Sequence, residues 1–152
     1  MPTPEAARAE VISFLGLEGF NRVARDEAGE IVGWCAGVHV YGYVWELHPL
    51  VVAPHLQRHG YGRALVEDLE RYVREKGGLT IQLGTSDESN RTSIFGRELY
   101  ADIPSAIGSL RAAPNHPLDF YRRVGFVVIG IVPDAEGAGR PSIMMAKKVK
   151  RR

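Results

Sequence analysis

Leu50-Val51-Val52-Ala53-Pro54-His55-Leu56-Gln57-Arg58-His59-Gly60-Tyr61-Gly62-Arg63 carries an apolar run into a pair of glycines, and its reading decides the fold. Strand-forming residues stop at Val52, Pro54 breaks the strand, and Gly60-Tyr61-Gly62 stands where a helical pattern begins. Glycines there let backbone N–H groups come close to an anion, and a helix N-terminus adds partial positive charge. Arg58, His59 and Arg63 add side-chain charge suited to phosphate. A dinucleotide fingerprint would need Gly or Ala two positions after Arg63, where Leu65 stands, and a shorter connection than residues 53–59. A P-loop would follow the last glycine with Lys and Ser or Thr, where Arg63-Ala64 stands. A glycine-rich helix start with no ligand stays open on spacing alone.

Downstream of the loop, Leu65, Val66, Leu69, Tyr72 and Val73 form an apolar stripe opposite Glu67, Glu70, Arg71 and Arg74. Glu67 with Arg71 and Glu70 with Arg74 have the favourable i,i+4 order for a solvated face. Gly77-Gly78 stops this helix, and Leu79, Ile81 and Leu83 then alternate with polar residues as a strand. Strand, helix and strand with short connections predict a βαβ unit with a parallel pair. Upstream, Thr3-Pro4-Glu5 opens a helix that Gly16 or Gly19 closes. Strands over residues 20–26, 31–40 and 43–52, with turns at 27–29 and 41–42, predict an antiparallel meander. Towards the C-terminus an amphipathic piece covers residues 103–110. Asn115-His116-Pro117 starts a short helix through Val124, and residues 126–132 and 142–149 form a final hairpin. The expected fold class is α/β with a mixed, mostly antiparallel sheet and helices on both faces, in a single domain over residues 1–152.

At 152 residues the chain can bury a core without disulfides or metals. Hydrophobic residues make up 45% and charged residues 24%, which excludes a disordered chain, and a net charge of +1 excludes a strongly basic nucleic-acid binder. The basic run Lys147, Lys148, Lys150, Arg151 and Arg152 reads as a solvated tail. Cys35, the single cysteine, lies in an apolar stretch and reads as a small core residue. One cysteine, no span-length apolar segment and no signal-peptide pattern point to the cytoplasm. The scattered histidines suggest no metal site.

Two later segments give the loop a context. Phe120-Tyr121-Arg122-Arg123-Val124-Gly125-Phe126, taken with the strand before Pro54 and the loop itself, resembles the GNAT superfamily of N-acetyltransferases from about Tyr43 onward. Trp45-Glu46-Leu47-His48-Pro49-Leu50-Val51-Val52 looks like the strand signature of its aminoglycoside 6'-N-acetyltransferase branch. Leu83-Gly84-Thr85, His116-Pro117-Leu118-Asp119-Phe120-Tyr121, Pro133-Asp134-Ala135 and Met145-Ala146-Lys147 resemble later blocks of that branch. The resemblance implies acetyl-CoA as cofactor. In the family's Q/R-x-x-G-x-G/A pattern, Gln57, Arg58, His59, Gly60, Tyr61, Gly62 and Arg63 would cradle the pyrophosphate. Pantetheine would add as a strand along Leu50, Val51 and Val52, beside a splayed parallel pair. Asn115, one residue nearer Tyr121 than the family's coenzyme-contacting Asn, stands as a coenzyme contact or as a helix cap.

An amine with a pKa of roughly 10 must lose a proton before it attacks a thioester, and the departing thiolate gains by receiving one. Glu46 is the expected base or acceptor-positioning group, acting directly or through water. Alternation puts it on one strand face with His48, Leu50 and Val52. His48 reads equally as part of a water relay and as a structural histidine. Tyr121 matches the family's F-Y-x-x-x-G-F acid, and the Leu50 N–H is the implied donor to the carbonyl oxygen. No covalent enzyme intermediate is required.

Relative to the branch the first strand and helix are missing from this sequence, which implies a shortened homologue, a misassigned start, or a sheet edge covered in a homodimer. Asp87 and Glu88 persist as acids for a polycationic acceptor, whereas Ser86 stands where the branch often has another. The leading expectation is acetylation of an aminoglycoside 6'-amine, an antibiotic-resistance activity. The alternatives are another small polyamine, a protein amine, or a non-catalytic acetyl-CoA-binding module.

Overall fold

Thr3 caps the first helix through its side-chain oxygen, which accepts the Ala6 N–H at 3.2 Å, and Pro4 fills the first turn without wasting a donor. That helix, α1, runs Pro4–Leu15 and ends on Gly16. The computed structural model describes residues 3–151 and continues with β1 Gly19–Arg25, β2 Ile31–Tyr41 and β3 Val44–Val52. After a 3-10 turn at Pro54–Leu56 come α2 Tyr61–Glu75, β4 Thr80–Ser86, α3 Ile103–Gly108, α4 Pro117–Arg123, β5 Val127–Val132 and β6 Ser142–Lys148. The strand order is β1-β2-β3-β4-β6-β5, with β3 and β4, on either side of α2, as the parallel pair. By internal packing the chain divides into two compact units, Met1–Ile81 with Val149–Arg152, and Gln82–Lys148.

In the first unit the meander of β1, β2 and β3 is antiparallel throughout, as the turn residues require. Alternation along β2 sends Gly33, Cys35 and Gly37 to one face and Trp34, Ala36 and Val38 to the other. The small residues let α2 come close. A Cβ at Gly37 would sit 2.5 Å from Leu69 Cδ1, and one at Gly33 3.2 Å from Leu65 Cδ1. Leu65, Val66, Leu69 and Val73 are buried there, each contributing roughly 1.5–3 kcal/mol by the area bookkeeping for apolar side chains. Cys35 is fully buried; burial and the nearby Asp68 charge push its thiol up to about 12, so it stays a protonated packing residue. The opposite face carries α1. Phe14 places its ring 6.0 Å from that of Trp34, and Trp34 donates to Asn21, whose amide donates to the Phe14 carbonyl.

Two expectations for α2 change. Glu70 is buried, and its carboxylate accepts the Lys150 N–H at 3.1 Å, tying the C-terminal segment to the helix instead of facing water. Arg71 bonds Asp68, at i,i+3, and Arg22 of β1 lies 3.7 Å from the same carboxylate.

The larger correction concerns β3. Leu47 pairs with Gly37 but Leu50 pairs with Cys35, so His48 and Pro49 together oppose Ala36 in a β-bulge. Pro49, with no N–H to offer the ladder, fits this unpaired position. One extra residue reverses the alternation. Glu46 and His48 stay on the α1 face, whereas Leu50 and Val52 turn to the α2 face and Val51 takes the α1 face. The simple period of two predicted from the sequence holds only as far as the bulge.

In the second unit, β5 and β6 form the expected hairpin, irregular between Val128 and Gly130. Leu83, Ile94, Leu118, Phe126, Ile143 and Met145 are among its most deeply buried apolar side chains. No helix among the described residues is long and apolar enough to cross a membrane.

Candidate active site

The loop after β3 is built to present donors. Ala53 keeps one more ladder bond, its N–H to the Val32 carbonyl at 2.8 Å, and the chain then turns through Pro54–Leu56. The Gln57 side-chain amide reaches back to the Val52 carbonyl at 3.2 Å, closing the loop on its own strand. His59 Nδ1 lies 2.9 Å from the Gln57 carbonyl oxygen; that oxygen only accepts, so the ring carries its proton on Nδ1. Arg58 has φ +67° and Gly60 φ +93°, two left-handed residues that swing the chain into α2.

Gly60 is the N-cap of α2 and supplies no side-chain acceptor. The first intrahelical bond runs from Ala64 N–H to the Gly60 carbonyl at 3.0 Å, so the N–H groups of Tyr61, Gly62 and Arg63 have no acceptor within the helix. Arg58, His59 and Arg63 are exposed around them, and a Cβ at Gly60 would meet no protein atom within 4 Å. Orphan donors, open space and cationic side chains together fit a diphosphate.

Beside the loop, Glu46 is half-buried on the α1 face of β3 and His48 is exposed on the same face. Leu50 and Val52 are half-buried, and Val51 is 54% exposed. Those three residues lead straight into the loop, so the strand backbone and the loop are continuous.

The second unit holds the remaining expected residues. Asp87 is 1% exposed and does not face solvent as an acceptor-binding acid would. Its carboxylate accepts from the N–H groups of Ser89, Arg91 and Thr92 and from the Thr92 hydroxyl. Burial raises its pKa, but these bonds outweigh burial and hold it below the ordinary carboxylate value. In this structure the Asp87 carboxylate organises the loop over residues 87–92. Glu88, its neighbour, is exposed.

Asn115 does not cap α4. It sits in the left-handed region at φ +62°, and His116 is the cap, its Nδ1 accepting the Leu118 N–H at 3.1 Å. Burial, then the Arg91 charge, lowers the His116 pKa, with Asp87 and Asp119 partly opposing. A neutral Nδ1 is what the cap requires. Tyr121 is half-buried on α4, its ring 5.2 Å from Phe120 and 5.6 Å from Phe126, and its carbonyl accepts the Phe126 N–H at 3.0 Å.

The Acetyltransferase (GNAT) family profile matches residues 4–101. An aminoglycoside 6'-N-acetyltransferase solved in complex with coenzyme A is 35% identical, with a TM-score of 0.88, covering 94% of this chain and 79% of that one. The chain belongs to the GNAT acetyltransferase family. The GNAT chain is similar as well to an aminoglycoside 6'-N-acetyltransferase from Enterococcus faecium, at 35% identity and TM-score 0.89, covering 98% of this chain and 85% of that one. A type Ii aminoglycoside 6'-acetyltransferase follows at 32% identity and TM-score 0.72, covering 98% and 80%. No curated protein matches by sequence at a significant level. As a GNAT acetyltransferase the protein uses acetyl-CoA.

Three local arrangements in and around the candidate site were not predicted from the sequence. That Asp87 serves its own loop could have been suspected from Asp87-x-Ser89, a pattern in which an acid commonly bonds the backbone two residues on. His116 before Pro117 has the position of a cap, though histidine is a rare one. The bulge at His48-Pro49 had a visible cause, a proline inside a strand.

Proposed function

We propose that this GNAT protein transfers an acetyl group from acetyl-CoA to the 6'-amine of an aminoglycoside, by direct attack in a ternary complex. The observation that carries this reading is 35% identity to two aminoglycoside 6'-N-acetyltransferases over nearly the whole chain. In this reading Gln57, Arg58, His59, Gly60, Tyr61, Gly62 and Arg63 hold the pyrophosphate, and the backbone of Leu50, Val51 and Val52 pairs with pantetheine. Asn115 contacts the coenzyme. Glu46, directly or through water and with His48, takes a proton from the acceptor ammonium. The freed nitrogen lone pair forms the C–N bond, the Leu50 N–H stabilises the carbonyl oxygen, and the C–S bond breaks. Tyr121 donates its phenolic proton to the thiolate and regains one from solvent. Glu46 and Glu88 supply negative charge for a cationic acceptor. The protein works in the cytoplasm as a homodimer and confers resistance.

Thiol release from acetyl-CoA, followed against aminoglycosides with a free 6'-amine, linear polyamines and peptides, tests the acceptor. Turnover with 6'-amino aminoglycosides is expected, and none with analogues that carry a 6'-hydroxyl. Turnover with peptides alone would overturn the acceptor reading. Tight coenzyme binding without turnover on any amine would make the protein a binding module. A sedimentation mass of one chain would refute the dimer.

A further inference from the structure

His48 projects from the β3 bulge onto the face that carries α1, and Glu10 of that helix meets it. The Glu10 Oε1 lies 3.2 Å from His48 Nε2, and the Phe14 ring, one turn further along α1, lies 5.6 Å from the imidazole. One contact holds Nε2 and the other packs a ring against the imidazole at an interplanar angle of 53°, so together they restrict the ring's orientation. Nδ1 has no hydrogen-bond partner among the described residues. The pair is solvent-accessible, with side-chain exposures of 56% for His48 and 37% for Glu10, so it contributes little to folding stability. α1 buries none of its side chains fully, so the helix brings little to the core beyond this face-specific contact.

Which nitrogen of a histidine carries the proton is set by the hydrogen bond that the other nitrogen makes. A carboxylate accepts only, so Glu10 selects the Nε2–H tautomer and leaves the Nδ1 lone pair available. From this we infer that Glu10 is a positioning residue for the acetyl transfer, holding His48 as a proton acceptor beside Glu46. The inference rests on the acetyl-transfer reading of the β3 face. Glu46 lies two residues before His48 on that same face. When the acceptor ammonium gives up its proton, an N–H bond breaks and its electron pair becomes the nucleophile. The proton is taken up by Glu46, directly or through water, and handed on to His48 Nδ1, where the imidazolium's charge is balanced by Glu10 until the proton is released to solvent. The oriented carboxylate–imidazole pair is a recurrent way of holding a histidine for such work. It also gives α1 a chemical role that its sparse packing does not suggest.

The test compares Glu10→Ala with Glu10→Gln in the full chain. Gln keeps an oxygen that can accept from Nε2–H, whereas Ala keeps none. With kanamycin A as acceptor, Glu10→Ala should lower kcat about ten- to a hundredfold while KM for acetyl-CoA stays within about twofold. Glu10→Gln should recover most of the rate. A second readout needs no turnover: long-range 1H–15N spectra should show His48 as the Nε2–H tautomer in the wild type and as a mixture in Glu10→Ala. An unchanged kcat in Glu10→Ala, or a loss that Gln does not recover, would overturn the positioning role. So would an unchanged tautomer. Wild-type protein inactive on every amine would sink the acceptor reading instead, and the tautomer spectrum would then decide Glu10 by itself.

Discussion

Replacing Gly60 by alanine separates what the loop's backbone geometry contributes from what its ligand contact contributes. Gly60 has φ +93° as the N-cap of α2, a conformation that a side chain disfavours by roughly 1–2 kcal/mol. No protein atom lies within 4 Å of the new Cβ, so strain is the whole of the expected folding cost. For a chain of this length that corresponds to a fall in Tm of about 2–8 °C. Coenzyme binding suffers separately, because the same open space is where a diphosphate would reach the N–H groups of Tyr61, Gly62 and Arg63. Losing one charge-assisted hydrogen bond costs about 1.5–3 kcal/mol, or about 10- to 150-fold in Kd. Gly29, in the β1–β2 turn, supplies the control. Its φ is +85°, its Cβ position is equally empty, and it lies outside the loop. Gly29→Ala should show a similar loss of Tm with an unchanged Kd for coenzyme A, read by titration calorimetry. Wild-type affinity in a folded Gly60→Ala would refute the assignment of this loop to the pyrophosphate.

Three further outcomes are expected. Tyr121→Phe should lower kcat about a hundredfold or more with KM for acetyl-CoA nearly unchanged, and a full-rate variant would remove Tyr121 as the acid. Asp87→Ala strands the Thr92 hydroxyl and three backbone N–H groups. It should cost about 3 kcal/mol or more, lowering Tm by about 6–12 °C, and a melting curve superimposable on wild type would contradict the loop-organising role. His116 has a folded pKa below its unfolded value, so its stability contribution is present above about pH 6.5 and is lost as pH falls through the folded value. Against His116→Asn, a cap that does not titrate, the wild type should lose relative stability on acidification from about pH 7 to 5. Parallel denaturation midpoints across that range would count against a neutral histidine cap.

Much of the candidate site was legible because local chemistry dictates it. Pro54 and Gly60-Tyr61-Gly62 mark a strand end and a helix start in any context, and the stripe from Leu65 to Val73 names the face that α2 buries. Thr3, Pro4 and Gly16 bound α1 for reasons contained within one turn of helix. The family blocks around Trp45–Val52 and Phe120–Phe126 told of the coenzyme, which the family match supports.

What the sequence by itself determined, then, was the order and kind of elements, the glycine-rich entry into α2 and the acetyltransferase family, since each rests on residues near one another along the chain. The tertiary structure decided which side chains share a face and which acids are already spent. Register across β2 and β3 placed the bulge at His48-Pro49 and parted Glu46 from Leu50 and Val52. Asp87 was committed by donors up to five residues away, and Glu70 by a backbone N–H eighty residues away. Glu10 met His48 only because α1 packs on the Trp34 face of the sheet. Such partnerships follow from cross-strand register and burial, which depend on residues distant in sequence, and no local pattern encodes them.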